Sequence, residues 1–234
     1  MGQDKLVVMR TVALFRQLSW DTVDAEVTQA TVLKVLQLLD PGFTALKLIN
    51  AVSGLKRKRA LQGQRTLMIS PKLLHVAMWK GWCETYGRQV GILKVRDSLK
   101  DRMLEHFDAM LAYARESKAA SKVVDELLSA IGPFESLEGF SASGAPNLFF
   151  AVAQASPEAA LRRLELALEA ETIESRKEFI GNGRRMVIHG LEHLAVPART
   201  FFDATRCLLL LAESENESWS NNATGVFVSM FGLG

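Results

Sequence analysis

Two stretches have residue types and spacing that could do chemistry: the run Lys56-Arg57-Lys58-Arg59 and the pair His189 and His193, in "HGLEH". The second matches H-x-x-E-H. Two imidazoles four residues apart on a helix share one face and could hold a metal, with Glu192 as a base. Such a site needs a third protein ligand, and Glu213, Glu215 and Glu217 lie about twenty residues on, closer than that pattern leads one to expect. Gly190 weakens the helix that would hold both histidines. The favoured reading is two partly buried histidines on a structural helix, with a zinc hydrolase at His189/His193 as a remote alternative.

Nucleophile chemistry has less to stand on. Cys83 sits among Trp79, Trp82 and Tyr86 on an apolar face, with His75 two turns earlier, and reads as a core cysteine. Ser141, Ser143 and Ser156 lack a G-x-S-x-G elbow. The glycine cluster "GNGRR" at 181–185 lacks the spacing and the lysine of a phosphate-binding P-loop. No catalytic residue, cofactor or metal is expected, and the chain reads as a non-enzyme.

The basic run could neutralise phosphates. Residues 41–102 carry 13 Lys and Arg against 3 Asp and Glu. Lys47, Asn50, Arg65 and Lys72 extend Lys56, Arg57, Lys58 and Arg59 into a candidate nucleic-acid-binding set. Against this, cations at a helix C-terminus also complement the helix dipole. The face of Thr44, Lys47, Asn50 and Ser53 holds few long donors for reading bases.

The elements that would position these residues follow from periodicity. "DKLVVMRTVALFRQLSW" predicts a helix over about 5–19. "DAEVTQATVLKVLQLLD" predicts a second, with Val27, Val32, Leu33, Leu36 and Leu39 as its stripe and Asp40-Pro41-Gly42 as its stop. Phe43, Leu46, Ile49, Val52 and Leu55 mark a third. Ala60-Leu61 and Thr66 to Ile69 flank Gln62-Gly63-Gln64-Arg65 as a hairpin, and Ser70-Pro71 opens a fourth helix. Three helices, a hairpin wing and a helix is the order of a winged helix-turn-helix, placed over 1–90.

Beyond Gly91 every segment reads as helix, with one long helix over "VRDSLKDRMLEHFDAMLAYARES" and "FESLEGFSASGAP" as a loop. Amphipathic helices with short joints and no strict period predict an α-solenoid of HEAT-like pairs over 91–234. The fold class is therefore mainly α. At the end, Val226, Phe227, Val228, Met230 and Phe231 form an apolar run that wants a covering partner.

Composition narrows the class further. No apolar run reaches the ~18 residues of a membrane span, and "MGQDKLVVMR" is not a secretion signal. Two cysteines, Cys83 and Cys207, lie far apart, which points to a reducing cytoplasm and no disulfide or zinc scaffold. Residues 1–102 hold 17 Lys and Arg against 8 Asp and Glu, net +9. Residues 103–234 hold 11 against 18, net −7. The halves thus carry opposite surfaces, suited to two modules.

"LMISPKLLHVAMWKGWCETYG", "PEAALRRLELALE" and "LLLLAESENESWSNNATGVFVSMF" resemble a segment of large bacterial NTPases of the STAND or NACHT type linked to antiviral defence. In that family a P-loop ATPase module precedes a winged helix and helical repeats. The resemblance spans about 5–231 and implies a non-catalytic regulatory and protein-interaction module without the motor. Its partner would be the ATPase module of a longer chain, another protein or a second copy. A winged-helix nucleic-acid binder with a helical oligomerisation domain is the alternative. No membrane partner is expected.

Overall fold

The computed structural model describes residues 2–215, 222–230 and 232, and the protein is mainly helical. It divides into two compact units, Met1–Val123 and Val124–Gly234. The expected boundary at 90/91 lies inside the first of these.

The first unit opens with α1 (Gln3–Val12), whose Val8, Met9, Thr11 and Val12 are buried. The helix expected over 5–19 ends earlier than its apolar spacing suggests. Leu14 N–H bonds to Thr11 and Phe15 N–H to Val12, tightening the last turn, and the chain then enters β1 (Leu18–Ser19). Leu14 and Leu18 suit a helix by spacing, but Leu18 instead pairs with Leu67 and is wholly buried. Tertiary pairing overrides the local period here.

Next come α2 (Ala25–Leu39) and α3 (Ala45–Arg57). Thr44 caps α3, its hydroxyl accepting from Lys47 N–H at 3.3 Å. The core side of α3 is Leu48, Ala51, Val52 and Leu55. The expected stripe was turned too far: Leu46 and Ile49 face solvent, at 67% and 46% exposure. In α2, Thr28, Val32, Val35 and Leu36 are buried and Val27 is exposed.

The hairpin is where its residues place it. β2 (Leu61–Gln62) and β3 (Thr66–Ile69) pair antiparallel, and β3 is central in the order β1-β3-β2. The turn depends on Gly63, which sits at φ +96°; a Cβ there would stand 1.9 Å from the carbonyl oxygen of Thr66. α4 (Lys72–Tyr86) follows, one residue later than Pro71 implied, and buries His75, Trp79, Trp82 and Cys83.

A single wide turn, Gly87–Gly91, leads into α5 (Ile92–Asp97). The long helix expected here is broken. The hydroxyl of Ser98 donates to the carbonyl of Val95 at 2.7 Å, taking up a helix-end acceptor. Lys100 is extended, α6 (Asp101–Asp108) starts afresh, and Ala109–Glu116 winds more tightly as a 3₁₀ helix. Arg96 clamps Asp108 with two bonds of 2.8 and 2.9 Å, tying α5 to the end of α6. This segment packs with the first unit: Phe15 meets Phe107 edge-on, and Arg16 N–H bonds to the carbonyl of His106. α7 (Lys118–Leu127) spans the boundary.

The second unit begins with a buried aromatic triad, Phe134, Phe140 and Phe149, with centroids 5.0–5.4 Å apart. The segment expected to be a loop contains α8 (Leu137–Ser141), capped by Ser136. Four longer helices follow: α9 (Ala145–Ala155), α10 (Pro157–Glu169), α12 (Gly181–Leu194) and α13 (Ala198–Ala212). The short α11 (Ile173–Glu178), capped by Thr172, lies between α10 and α12 and was not anticipated. α9 packs on α10 and α12 on α13; across the two hairpins, α9 meets α12 and α10 meets α13. α14 (Ala223–Met230) rests on α13 and α12. Two buried arginines finish α13: Arg176 donates to the carbonyl of Leu210 at 2.7 Å and Arg184 to that of Leu211 at 2.8 Å. They satisfy acceptors that a helix end leaves open and complement its dipole.

Candidate functional site

The basic candidates gather at the C-terminal end of α3 and the hairpin beside it. Lys56 and Arg59, with Leu61, Gln62, Gly63 and Gln64, line an open depression of about 430 Å³. Its floor exists because the chain reverses sharply between α3 and β2: Arg59 takes φ +56°, and Ala60 N–H returns to the carbonyl of Leu55. Arg57 and Lys58 are exposed on the same turn. Lys56 and Arg57 also occupy the last turn of α3, where cations stabilise any helix.

The other candidates are only partly drawn in. Asn50 is exposed on α3. The ammonium of Lys47 lies 5.8 Å from the Phe43 ring centroid, and that of Lys72 lies 5.0 Å from Tyr113, so both chains rest on aromatic faces. Arg65 sits in the hairpin turn, its carbonyl accepting from Trp20 N–H at 2.8 Å. Reasoning from sequence missed Lys5, whose side chain lies over Gly54 of α3. It also missed Gln62 and Gln64, which line the depression.

Of the nucleophile candidates the cysteines are placed in the core, whereas Ser141 and Ser143 are exposed and Ser156 is half-buried. Burial, aided by Glu84, pushes the Cys83 thiol up to about 12, and burial, aided by Glu165, does the same for Cys207. Neither is a thiolate at neutral pH. His75 gives its ring N–H to the carbonyl of Ala13 at 3.1 Å and not to Cys83. Trp79 and Trp82 are buried core residues. Ser141 donates to the carbonyl of Leu137.

His189 and His193 do come together, on the exposed side of α12, with their Nε2 atoms 3.3 Å apart. They are not the partly buried pair expected. The carboxylates proposed to join them are engaged elsewhere: Glu213 faces Arg176 and Glu215 faces Arg184, each at 3.3 Å. Glu217 lies outside the described residues. Among the described residues no group of three or more His, Cys, Asp or Glu could hold a metal.

Val226, Phe227, Val228 and Met230 lie in α14, half-buried, and Phe231 falls outside the described residues. Glu215 caps this helix, accepting from Ala223 N–H and, at 3.0 and 2.7 Å, from the N–H and hydroxyl of Thr224. Among the described residues no helix is long and apolar enough to cross a membrane.

No family model, curated protein or solved structure matches the chain.

Proposed function

We propose that the chain is a non-catalytic regulatory and protein-interaction module, whose first unit works as a winged helix and whose second works as a short HEAT-like array. The element order α1-β1-α2-α3-β2-β3 with a β1-β3-β2 sheet supports the first part. The stacking of hairpin α9/α10 on hairpin α12/α13, like helix on like, supports the second. The resemblance to bacterial STAND and NACHT-type NTPases supplies a setting, in which the motor belongs to another module.

The observation that carries the reading is the outward face of α3. In a DNA-reading winged helix this face enters the major groove and presents long hydrogen-bonding side chains. Here it presents Leu46 and Ile49 beside Asn50, and Lys47 lies over Phe43. Exposed aliphatic side chains on a rigid helix suit a protein partner better than base edges.

The basic depression at Lys56 and Arg59 favours one second reading, a backbone grip on nucleic acid. Fluorescence anisotropy with a mixed-sequence duplex at two salt concentrations separates the two. The proposal expects no saturable binding at low salt. It also expects concentration-dependent self-association in sedimentation, reduced by Leu46→Lys with Ile49→Lys. Salt-sensitive duplex binding, falling by about 0.9 log units per log of salt for each phosphate contacted and lost in Lys56→Glu with Arg59→Glu, overturns it in favour of the grip.

A further inference from the structure

We infer that His189 and His193 form a two-imidazole chelate for a divalent transition-metal ion of the zinc class, held on the exposed face of α12 and completed by water or by a donor from another molecule. The inference is independent of how α3 is used.

The separation of the nitrogens is the first argument. A tetrahedral metal with bonds of about 2.0–2.1 Å to two imidazoles holds their nitrogens about 3.3 Å apart. The Nε2 atoms of His189 and His193 already stand at 3.3 Å. Four residues of α-helix provide that spacing, and α12 is a firm platform, with Arg184, Val187, Ile188 and Leu191 buried along its other side.

Orientation is the second. Phe150 of α9 stacks parallel to His189, with centroids 6.4 Å apart and planes at 6°, and meets His193 edge-on at 6.0 Å. One aromatic ring therefore braces both imidazoles.

The third is the tautomer. A Glu192 carboxylate oxygen lies 3.4 Å from Nδ1 of His189. A carboxylate beside Nδ1 favours the tautomer with its proton there, which leaves the Nε2 lone pair of His189 free, as where a carboxylate orients a ligating histidine. His193 is then the donor in the Nε2···Nε2 hydrogen bond. Binding removes that Nε2 proton to solvent, and His193 takes one up on Nδ1, so the neutral ring offers its Nε2 lone pair to the metal. Glu192 acts as a positioning residue and not as a ligand.

Borderline-soft ions with a taste for imidazole, Zn²⁺, Cu²⁺ and Ni²⁺, fit this donor pair; hard oxygen-seeking ions do not. The His189 and Glu192 side chains are 54% and 52% exposed, so the remaining coordination positions open to solvent.

The test uses the full chain and Zn²⁺ alone, titrated in competition with a chromophoric chelator. One equivalent is expected to bind, with affinity falling at least about tenfold in His189→Ala and in His193→Ala. Glu192→Gln should weaken binding by about ten- to a hundredfold, and ¹⁵N NMR of the imidazoles should show a smaller share of the Nδ1–H tautomer at His189. Both histidines are exposed, so circular dichroism should show the variants folded. Absence of stoichiometric Zn²⁺ uptake, uptake surviving both histidine substitutions, or bound Zn²⁺ that leaves the two Nε2 resonances unmoved would each overturn the assignment.

Discussion

Arg163 of α10 donates a 2.9 Å hydrogen bond from Nε to the carbonyl oxygen of Phe134, joining the α9/α10 hairpin of the second unit to its aromatic triad. The guanidinium is buried, so the bond is made where water competes little. Arg163→Met keeps the aliphatic stem and removes the donor. We expect a loss of about 1–3 kcal/mol, read from the urea midpoint of the second unit. Phe140→Ala, which hollows the triad, should cost about 3–5 kcal/mol. Equal midpoints for wild type and Arg163→Met would show that the bond contributes nothing net.

Glu215 fastens α14. Burial alone would raise its pKa, but hydrogen bonds from Thr224, Ala223 and Arg184 outweigh that and hold it below the ordinary carboxylate value. A carboxyl that is more acidic when folded adds stability above its unfolded pKa, and that contribution is lost as pH falls through the folded value. Hydrogen exchange in α14 should therefore quicken below pH 4.5 before α10 and α13 respond. Glu215→Ala should have the same effect at neutral pH, at a cost of about 1–2 kcal/mol for a lost cap. Unchanged exchange in that variant would sink the prediction.

Two histidines make the first unit sensitive to mild acid. Burial lowers the pKa of both His75 and His106 from the ordinary 6.5. The unfolded chain then binds these protons more readily than the folded one. Stability from this source is complete above 6.5 and declines as pH falls through the depressed folded values. His75→Gln keeps an N–H for the Ala13 carbonyl and cannot ionise. Its denaturation midpoint should fall less steeply between about pH 7 and pH 5 than that of the wild type. Identical slopes would remove His75 from the account.

Gly63→Ala should open the depression beside α3. The residue needs φ +96°, and the added methyl would strike the Thr66 carbonyl oxygen. A strain of this kind costs about 1–3 kcal/mol. The variant should lose exchange protection in Leu61, Gln62, Met68 and Ile69 while α10 and α13 are unaffected. A hairpin as well protected as wild type would count against the conformational argument.

Much of this architecture was legible in the residues. Gly63 between two β-prone runs marked the hairpin, whereas the caps Thr44, Ser136 and Thr172 went unread, and with them the short helices α8 and α11. What could not be read locally is where packing overrules period. Leu18 continues the helical spacing of α1 but is claimed by Leu67, and Ser98 ends α5 by turning its hydroxyl back on Val95. Leu46 and Ile49 looked like core by spacing, yet Leu48 and Ala51 have the right azimuth toward α1. The candidate site was half visible. The basic run marked Lys56 and Arg59, whereas Gln62 and Gln64 join them only once the hairpin folds back. Likewise the spacing of His189 and His193 was plain, but Phe150 comes from another helix and carries no signal of its own.

The sheet order has a kinetic consequence. β2 and β3 are joined by a short turn, whereas β1 reaches β3 only across the whole of α2 and α3. Loop-closure entropy delays the distant pairing relative to the local one. The hairpin should be in place in the folding transition state and β1 should dock after it. Substitutions at Leu18 would then speed unfolding, while those at Leu61 and Ile69 would slow folding. The strand that completes the first unit is thus the one it can lose first.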